Sequence, residues 1–192
     1  MKRKPAAQRR EEVLRAALAL FAQRGYDAVV MDEIARACGI ARTSLYEYFR
    51  SKEEILLALI DQVIAQAPSG VPEAASIRER LVAIAAAQLA YIHQHRLVYR
   101  MLFEKLPSLS GPVADAIIAR RQEQAVAVVA LVQAGQTSGE IRPDVAVTDL
   151  VFLFQSVVSQ LGSLVLLQEE PIALTAEADR LLGLLFAGVA TR

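Results

Sequence analysis

The chain has 192 residues, of which 54% are hydrophobic and 22% charged, and its formal net charge is zero. This length and apolar content allow one sizeable core, or a small domain joined to a larger one. The balanced charge argues against non-specific polyanion binding by the whole molecule. Because Cys38 is the single cysteine, an internal disulfide framework and a CxxC-type zinc site are both excluded.

The charges are unevenly distributed along the chain. Residues 1–52 carry 11 Lys and Arg against 6 Asp and Glu, a net charge of +5, and residues 53–192 carry the compensating −5. A basic N-terminal quarter on an acidic body indicates a polyanion-binding head. Charged residues follow the basic start before any apolar segment, unlike in a signal peptide, so we expect a cytoplasmic protein.

Helical periodicity runs through almost the whole sequence, and no segment alternates as a strand for long. The first three predicted helices cover 9–24, about 31–38, and 42–49. Gly25 and Gly39 end the first two, and the third places Leu45 and Phe49 one turn apart on an inward face. Two short helices joined through a glycine are typical of a helix-turn-helix.

Two capping boxes mark the next helix starts. Ser51 with Glu54 opens a helix to about residue 67, and Ser76 with Glu79 opens one to about residue 95. The proline- and glycine-rich segment between them predicts a boundary between domains 1–67 and 68–192. Further helices are predicted at about 97–106, 113–136, 145–168 and 174–190. The predicted class is therefore all-α, with about nine helices.

One predicted helix raises the question of a membrane span. From Leu150 to Gln168 the chain carries no charge over a length close to that of a bilayer. Three glutamines and three serines interrupt the segment. We therefore expect a helix buried in protein and no membrane partner.

The outward face of the third helix suits a DNA major groove. Stepping by 100° from Leu45 places Thr43, Tyr46, Glu47 and Arg50 outward, with Ser44 at the edge. Hydroxyl groups and an arginine are typical contacts to phosphates and base edges. Lys52 follows where it could hold a phosphate, and the basic arm could add salt-dependent or minor-groove contacts. The arm comprises Lys2, Arg3, Lys4, Arg9 and Arg10.

Residues 9–60 resemble the N-terminal domain of the tetracycline-repressor (TetR) family of transcriptional regulators. The resemblance rests on Gly39-Ile40, Leu45-Tyr46, Tyr48-Phe49 and Ser51-Lys52-Glu53 at fixed spacing, preceded by Phe21, Gly25-Tyr26 and Ile34-Ala35. It implies DNA contacts from a set of polar residues around the third helix. These are Arg42, Thr43, Ser44, Tyr46, Tyr48 and Lys52.

Three residues depart from the family pattern. Val30 stands where a threonine is usual and Ala41 where a serine is frequent, so neither side chain can cap a helix or hold a phosphate. Backbone N–H groups at the start of the second helix remain available for that contact. Glu47 either reads a cytosine amine or points along the DNA backbone and repels it, and we favour a role in which it is solvated or paired within the protein.

The remainder of the chain shows no catalytic constellation, and we expect neither a metal nor a cofactor. His93 and His95 are two residues apart, so on a helix they face different sides and do not form a metal pair. Cys38 is expected to be a small core residue. Neutral polar and aromatic residues instead lie among apolar ones, which is typical of a small-molecule site. The candidates are Gln88, Tyr91, Tyr99, Met101, Phe103, Gln124, Phe152 and Gln155.

The last two predicted helices carry small residues at one-turn spacing. These are Ser156, Ser159 and Ser163 in one helix and Gly183 and Ala187 in the other. Small side chains allow close helix approach, either within one chain or across a symmetric homodimer. A dimer would let two heads read half-sites about 34 Å apart.

Together these features predict a homodimeric, ligand-responsive transcriptional regulator, most simply a repressor. It would bind a palindromic double-stranded DNA operator and leave it when a small, largely apolar effector binds. Two alternatives stay open. One is a helical small-molecule-binding protein or enzyme with a non-functional helix-turn-helix head. The other is a non-specific DNA-binding protein, against which the balanced charge argues.

Overall fold

The computed structural model describes residues 5–68, 70, 76–105, 111–167 and 174–189. In this part of the chain the regular structure consists of nine α-helices: α1 Ala6–Arg24, α2 Met31–Ala37, α3 Arg42–Tyr46, α4 Lys52–Gln66, α5 Ile77–Gln94, α6 Arg96–Lys105, α7 Pro112–Ser138, α8 Val147–Leu167 and α9 Leu174–Val189. The all-α class and the helical order are confirmed. Most of the predicted linker lies outside the described residues, so the domain boundary there stays a prediction.

Two glycines terminate the first helices because each adopts a positive φ that side chains rarely tolerate. Gly25 has φ 78° at the end of α1, and Gly39 has φ 64° just after α2. Each redirects the chain into the next segment. As a result α2 packs on both α1 and α3, forming the predicted helix-turn-helix.

The third helix is shorter than predicted and ends at Tyr46. The N–H groups of Tyr48 and Phe49 both donate to the Leu45 carbonyl, each at 3.0 Å. Because the Leu45 carbonyl accepts both hydrogen bonds, the regular α-helical pattern stops here. The chain nevertheless makes one more tight turn, which ends at Phe49. Leu45 and Phe49 therefore keep their predicted alignment, and both side chains are fully buried.

One of the two predicted capping boxes differs from expectation. At α5, Glu79 N–H donates to Ser76 Oγ at 3.2 Å and Ser76 N–H donates to Glu79 Oε2 at 3.0 Å. At α4, Ser51 Oγ accepts from Glu54 N–H at 3.1 Å, but Glu54 Oε2 accepts from the N–H of Arg50 at 2.6 Å. The Glu54 side chain reaches one residue beyond the cap, so it ties the end of the α3 region to α4.

Two apolar clusters form the core of the described residues. The first is built on α1 to α4 and also includes Val98, Met101 and Leu102 of α6 and Ile117 of α7. The second joins α5, α7, α8 and α9. Helix α4 packs on α1 as well as on α6 and α7, so it connects the N-terminal head mechanically to the body.

Within the described residues α8 is the one helix long and apolar enough to cross a membrane, with a mean hydropathy of 2.0. It packs instead against α5, α7 and α9. Its buried side includes Leu150, Phe154, Leu161 and Val165. The helix therefore serves as a wall of the second apolar cluster, in agreement with the expected burial in protein.

Candidate nucleic-acid interface and ligand cavity

The outward face of α3 is built as the sequence predicts. Leu45 and Phe49 hold the segment in the core, and the guanidinium of Arg10 lies over the Phe49 ring at 4.5 Å from its centroid. Thr43 and Tyr46 are exposed on the opposite side, and Ser44 is half-buried at its edge. The helix thus presents hydroxyl groups outward from a rigid apolar base.

Arg42, the first residue of α3, is exposed, and its guanidinium also contacts two side chains of the protein. Its Nε lies 3.0 Å from Asp32 Oδ1, and its Nη1 donates to Asp32 Oδ2 at 3.1 Å. Its Nη2 donates to the Tyr46 hydroxyl at 3.4 Å, and the guanidinium lies 5.6 Å from that ring's centroid. The hydrogen bond to Tyr46, and then the charge of Asp32, raise the pKa of Arg42 above its ordinary value.

Lys52 lies against the loop between α1 and α2. Its Nζ donates to the carbonyl oxygens of Tyr26 at 2.8 Å and Asp27 at 3.2 Å. The ammonium also lies 4.4 Å from the centre of the Tyr26 ring. These bonds engage two of the three ammonium donors, so Lys52 braces this loop. Tyr48 is half-buried against the head core, with only part of its side chain at the surface.

The start of α2 satisfies its backbone without a side-chain cap from Val30. The N–H of Val30 donates to Glu33 Oε2 at 3.1 Å, and Glu33 Oε1 accepts from Arg24 Nη1 at 2.5 Å. The hydrogen bond to Arg24 lowers the pKa of the Glu33 carboxyl. The N–H of Val30 is thus occupied by a carboxylate. Ala41 precedes α3 without a side-chain cap, as the sequence predicts.

The remaining charged residues near α3 differ in their placement. Glu47 and Arg50 are exposed, in agreement with the predicted outward face. Arg9 pairs with Glu12 at 2.8 Å on α1. The other predicted arm residues, Lys2, Arg3 and Lys4, lie outside the described residues.

Neither the cysteine nor the histidines form a reactive cluster in the described part of the chain, which holds no group of potential metal ligands. Cys38 is half-buried against the head core, and this burial raises the pKa of its thiol. His95 packs on Tyr91 with ring centroids 4.3 Å apart, and burial lowers its pKa. His93 is half-buried two residues earlier, on α5.

The body contains a cavity of about 530 Å³ between α4, α5, α6, α7 and α8. Six of the eight predicted ligand residues line it: Gln88, Tyr99, Phe103, Gln124, Phe152 and Gln155. None of the described residues around the cavity carries a charge. The arrangement favours a largely apolar ligand oriented by amide and hydroxyl groups.

Tyr91 and Met101 are not brought into the cavity wall. The Tyr91 hydroxyl donates to the Val63 carbonyl at 2.9 Å, so its side chain points toward the end of α4. Met101 is buried in the first apolar cluster, against the head. The mixture of polar and aromatic residues among apolar ones predicts both as ligand residues, but this pattern does not distinguish a cavity wall from a packed core.

The sequence reasoning missed several residues of the cavity wall. These are Ile64, Leu102, Ile117, Val128, Phe154, Ser156, Val158, Ser159 and Gln160. The most informative is Ile64, because it belongs to α4 and places the cavity against the helix that starts at the helix-turn-helix head. The one-turn spacing of Phe152, Gln155 and Ser159 on α8 was the available signal for the polar part.

The outer sides of α8 and α9 expose apolar side chains. Phe152 is 68% exposed, Leu167 80% and Leu184 65%. Small residues lie beside them, since Ser156, Ser159 and Ala187 are exposed and Ser163 and Gly183 half-buried. Exposed apolar groups interleaved with small ones are characteristic of a helix-packing surface.

A helix-turn-helix head joined through one helix to a body with an apolar cavity defines the class of one-component transcriptional regulators. Residues 13–59 match the family model described as bacterial regulatory proteins, tetR family, and residues 74–162 match a tetracyclin repressor-like C-terminal domain. The chain belongs to the TetR family, and it is a ligand-responsive, DNA-binding transcriptional regulator.

Individual relatives agree with this assignment. The chain is 34% identical over 155 residues to the transcriptional repressor KstR2 of Mycolicibacterium smegmatis, covering 77% of this chain and 74% of that protein. The structure of the ketosteroid transcriptional regulator KstR2 of Mycobacterium tuberculosis is similar with a TM-score of 0.66 at 27% identity, covering 96% of both chains. AibR in complex with isovaleryl coenzyme A and operator DNA is similar with a TM-score of 0.68 at 25% identity, covering 93% of this chain and 98% of AibR.

Proposed function

We propose that this protein is a homodimeric, cytoplasmic repressor that leaves a palindromic operator when a largely apolar effector enters the body cavity. The observation that carries the proposal is the shared helix α4. Its first residue, Lys52, braces the DNA-facing head, and Ile64 near its other end lines the cavity. In this assignment the chain is a regulator and not an enzyme, with residues 1–67 binding DNA and residues 68–192 binding effector and partner.

Operator contacts are assigned to the exposed polar surface around α3. Arg42 and Tyr46 read base edges or phosphates, Thr43 and Ser44 hold phosphates through their hydroxyls, and Lys52 contributes its remaining donor. Tyr48 contributes the edge of its ring and its hydroxyl. With Leu45 and Phe49 locked in the core, these side chains are held on a rigid element.

The effector is assigned to the neutral cavity. Tyr99, Phe103 and Phe152 contact its apolar part, and Gln88, Gln124 and Gln155 orient its polar part. The absence of charge among the described lining residues favours an uncharged group inside the cavity. The relative AibR binds an acyl-coenzyme A. An acyl thioester with its acyl chain in the cavity is therefore the first chemical class to test.

Dimerisation is assigned to the outer sides of α8 and α9. Leu167 and Leu184 would become buried against a second copy, and the small residues of α8 and α9 permit close helix approach. A pair of heads reading two half-sites gives each dimer a sufficient DNA footprint. Effector binding then acts only through its differential affinity for the two head spacings.

The DNA-binding assignment is tested by mobility-shift titration on the DNA that flanks the coding region, repeated over a salt series. We expect a specific complex whose affinity falls with salt, because several Lys and Arg contacts release counterions. Equal affinity for flanking and unrelated duplexes would contradict the assignment.

The effector assignment is tested on the preformed complex with short and long acyl-coenzyme A esters and the matching free acids. We expect at least one ester to release the protein from its operator, and coenzyme A alone to have no effect. Release by coenzyme A alone would place recognition outside the neutral cavity and contradict the assignment.

A further inference from the structure

An ion pair joins Asp32 of α2 to Arg42 of α3, beside the surface that is proposed to face DNA. We propose that Asp32 is a specificity-determining positioning residue, which holds the Arg42 guanidinium so that it serves base edges in preference to any phosphate. The inference rests on the DNA-binding function assigned to Arg42. It concerns how that arginine discriminates between sequences, beyond the fact that it touches DNA.

The geometry fixes the plane of the guanidinium from several directions. Asp32 engages Nε at 3.0 Å and Nη1 at 3.1 Å through its two carboxylate oxygens. Tyr46 accepts from Nη2 at 3.4 Å. A guanidinium has five N–H donors in a rigid fork, so these contacts leave only part of the donor set for a nucleotide and define its direction.

The position of Asp32 at the start of α2 stabilises its charged form. The residue lies in the first turn of α2, where the positive end of the helix dipole stabilises a carboxylate. The neighbouring carboxylate of Glu33 is committed elsewhere, since it accepts from Arg24 and from the Val30 N–H. Asp32 is therefore the acidic group of this turn that is placed against the recognition helix.

The pair acts on DNA selection more than on folding. The Arg42 and Asp32 side chains are 62% and 45% exposed, and ion pairs that water reaches to this extent contribute little to stability. An unpaired arginine is attracted to every phosphate alike, which strengthens binding to all sequences. A paired arginine keeps only its remaining donors, and these point in a fixed direction, so it pairs well only where a base edge such as the O6 and N7 atoms of guanine lies in that direction. Asp32 therefore weakens non-operator binding more than operator binding.

The test uses two duplexes, one selected by the wild-type protein from a random-sequence pool and one with the same composition in scrambled order. Asp32→Asn keeps the shape of the side chain and removes its charge. We expect its affinity for the scrambled duplex to rise about tenfold and that for the selected duplex less than about threefold, with a salt slope on scrambled DNA steeper by about one phosphate contact. The ratio of the two affinities would fall several-fold.

Three further variants separate positioning by Asp32 from a simple change in charge. Glu53→Gln removes an exposed carboxylate from the first turn of α4, outside the pair, and should raise both affinities equally. Asp32→Asn in an Arg42→Ala background should change the affinity ratio less than about twofold, because the two effects are coupled. Arg42→Lys keeps the charge but not the fork, and should lower the ratio as much as Asp32→Asn does.

The proposal is overturned if Asp32→Asn raises both affinities equally, if it acts equally in the Arg42→Ala background, or if Arg42→Lys keeps the full ratio. A wild-type protein that binds both duplexes alike would instead overturn the sequence-reading function on which the inference rests. Urea unfolding midpoints of all variants confirm that the comparison is made between folded proteins.

Discussion

The head and the body use the same helical architecture for opposite purposes. The head is closely packed, and the relative solvent exposure of its central side chains is 1% or less. These are Val13, Phe21, Ile34, Leu45 and Phe49. The body instead contains a cavity of about 530 Å³ that opens to the surface, and it leaves apolar side chains on the outside of α8 and α9.

The difference shows how a regulator divides rigidity and adaptability. A tightly packed head holds the Arg42 and Tyr46 side chains on a fixed element, which sequence discrimination requires. A body with internal space can change its packing when a ligand fills that space. Helix α4 belongs to both regions, because it packs on α1 and also on α6 and α7.

The largest expected effect comes from truncating an aromatic residue in each region. Phe49 is fully buried, so Phe49→Ala should lower the free energy of unfolding by about 3–5 kcal/mol and abolish operator binding. Phe103 borders the cavity and is partly exposed, so Phe103→Ala should cost about 1 kcal/mol. Urea titration followed by circular dichroism measures both. Equal costs would show that the two regions are packed alike.

The next effect concerns Arg42, the charged residue proposed to contact DNA. Arg42→Ala should weaken operator binding by about 1–3 kcal/mol, because it removes the fork-shaped donor from the recognition surface. Arg142→Ala is the matched control, since Arg142 is an exposed arginine of the body that is likewise paired to a neighbouring aspartate, Asp144. Fluorescence anisotropy with labelled operator measures both variants. A similar loss in the two would place the DNA contact outside α3.

Filling the cavity should have a smaller effect on operator affinity, but it should selectively abolish the response to the effector. Val128 lines the cavity on α7, and Val126 on the same helix is 67% exposed. Val128→Phe should keep operator binding and abolish release by whichever acyl-coenzyme A ester releases the wild type, because the ring occupies the ligand's space. Val126→Phe should respond like the wild type. Unchanged release from the Val128→Phe complex would contradict the assignment of the cavity.

The smallest effect is a pH dependence in the body. Burial against Tyr91 lowers the pKa of His95 below its ordinary 6.5, so the folded protein binds this proton less readily than the unfolded chain does. The stability contributed by the neutral ring is thus present above pH 6.5 and is lost as the pH falls below it. Comparing urea midpoints of wild type and His95→Gln across this range measures it. Identical pH profiles for the two proteins would show that His95 is not responsible.

The head could be predicted from sequence because its structure depends on local chemistry. The turn at residue 39 requires a positive φ, which favours glycine there. The spacing of Leu45 and Phe49 is sufficient to indicate the buried side of a helix. The partners of individual polar groups could not be predicted in this way. The contact of Lys52 with the Tyr26 carbonyl and that of Arg42 with Asp32 depend on how separate segments meet in space.

The cavity was harder to predict because empty space has no sequence pattern. Gln88, Gln124 and Gln155 were recognised as polar groups on apolar helices. Tyr91 satisfied the same criterion, yet its hydroxyl caps the Val63 carbonyl at the end of α4. Only the packing of five helices decides which inward residue borders a void and which fills one.

The most direct measurement of the central claim is footprinting on the flanking DNA, with and without acyl-coenzyme A esters. The account predicts two protected half-sites about one duplex turn apart, centred on a palindrome, which disappear when an ester of the right chain length is added. Protection that is spread evenly along the DNA, or that persists with every ester while a bound ester is detected in the protein, would contradict it.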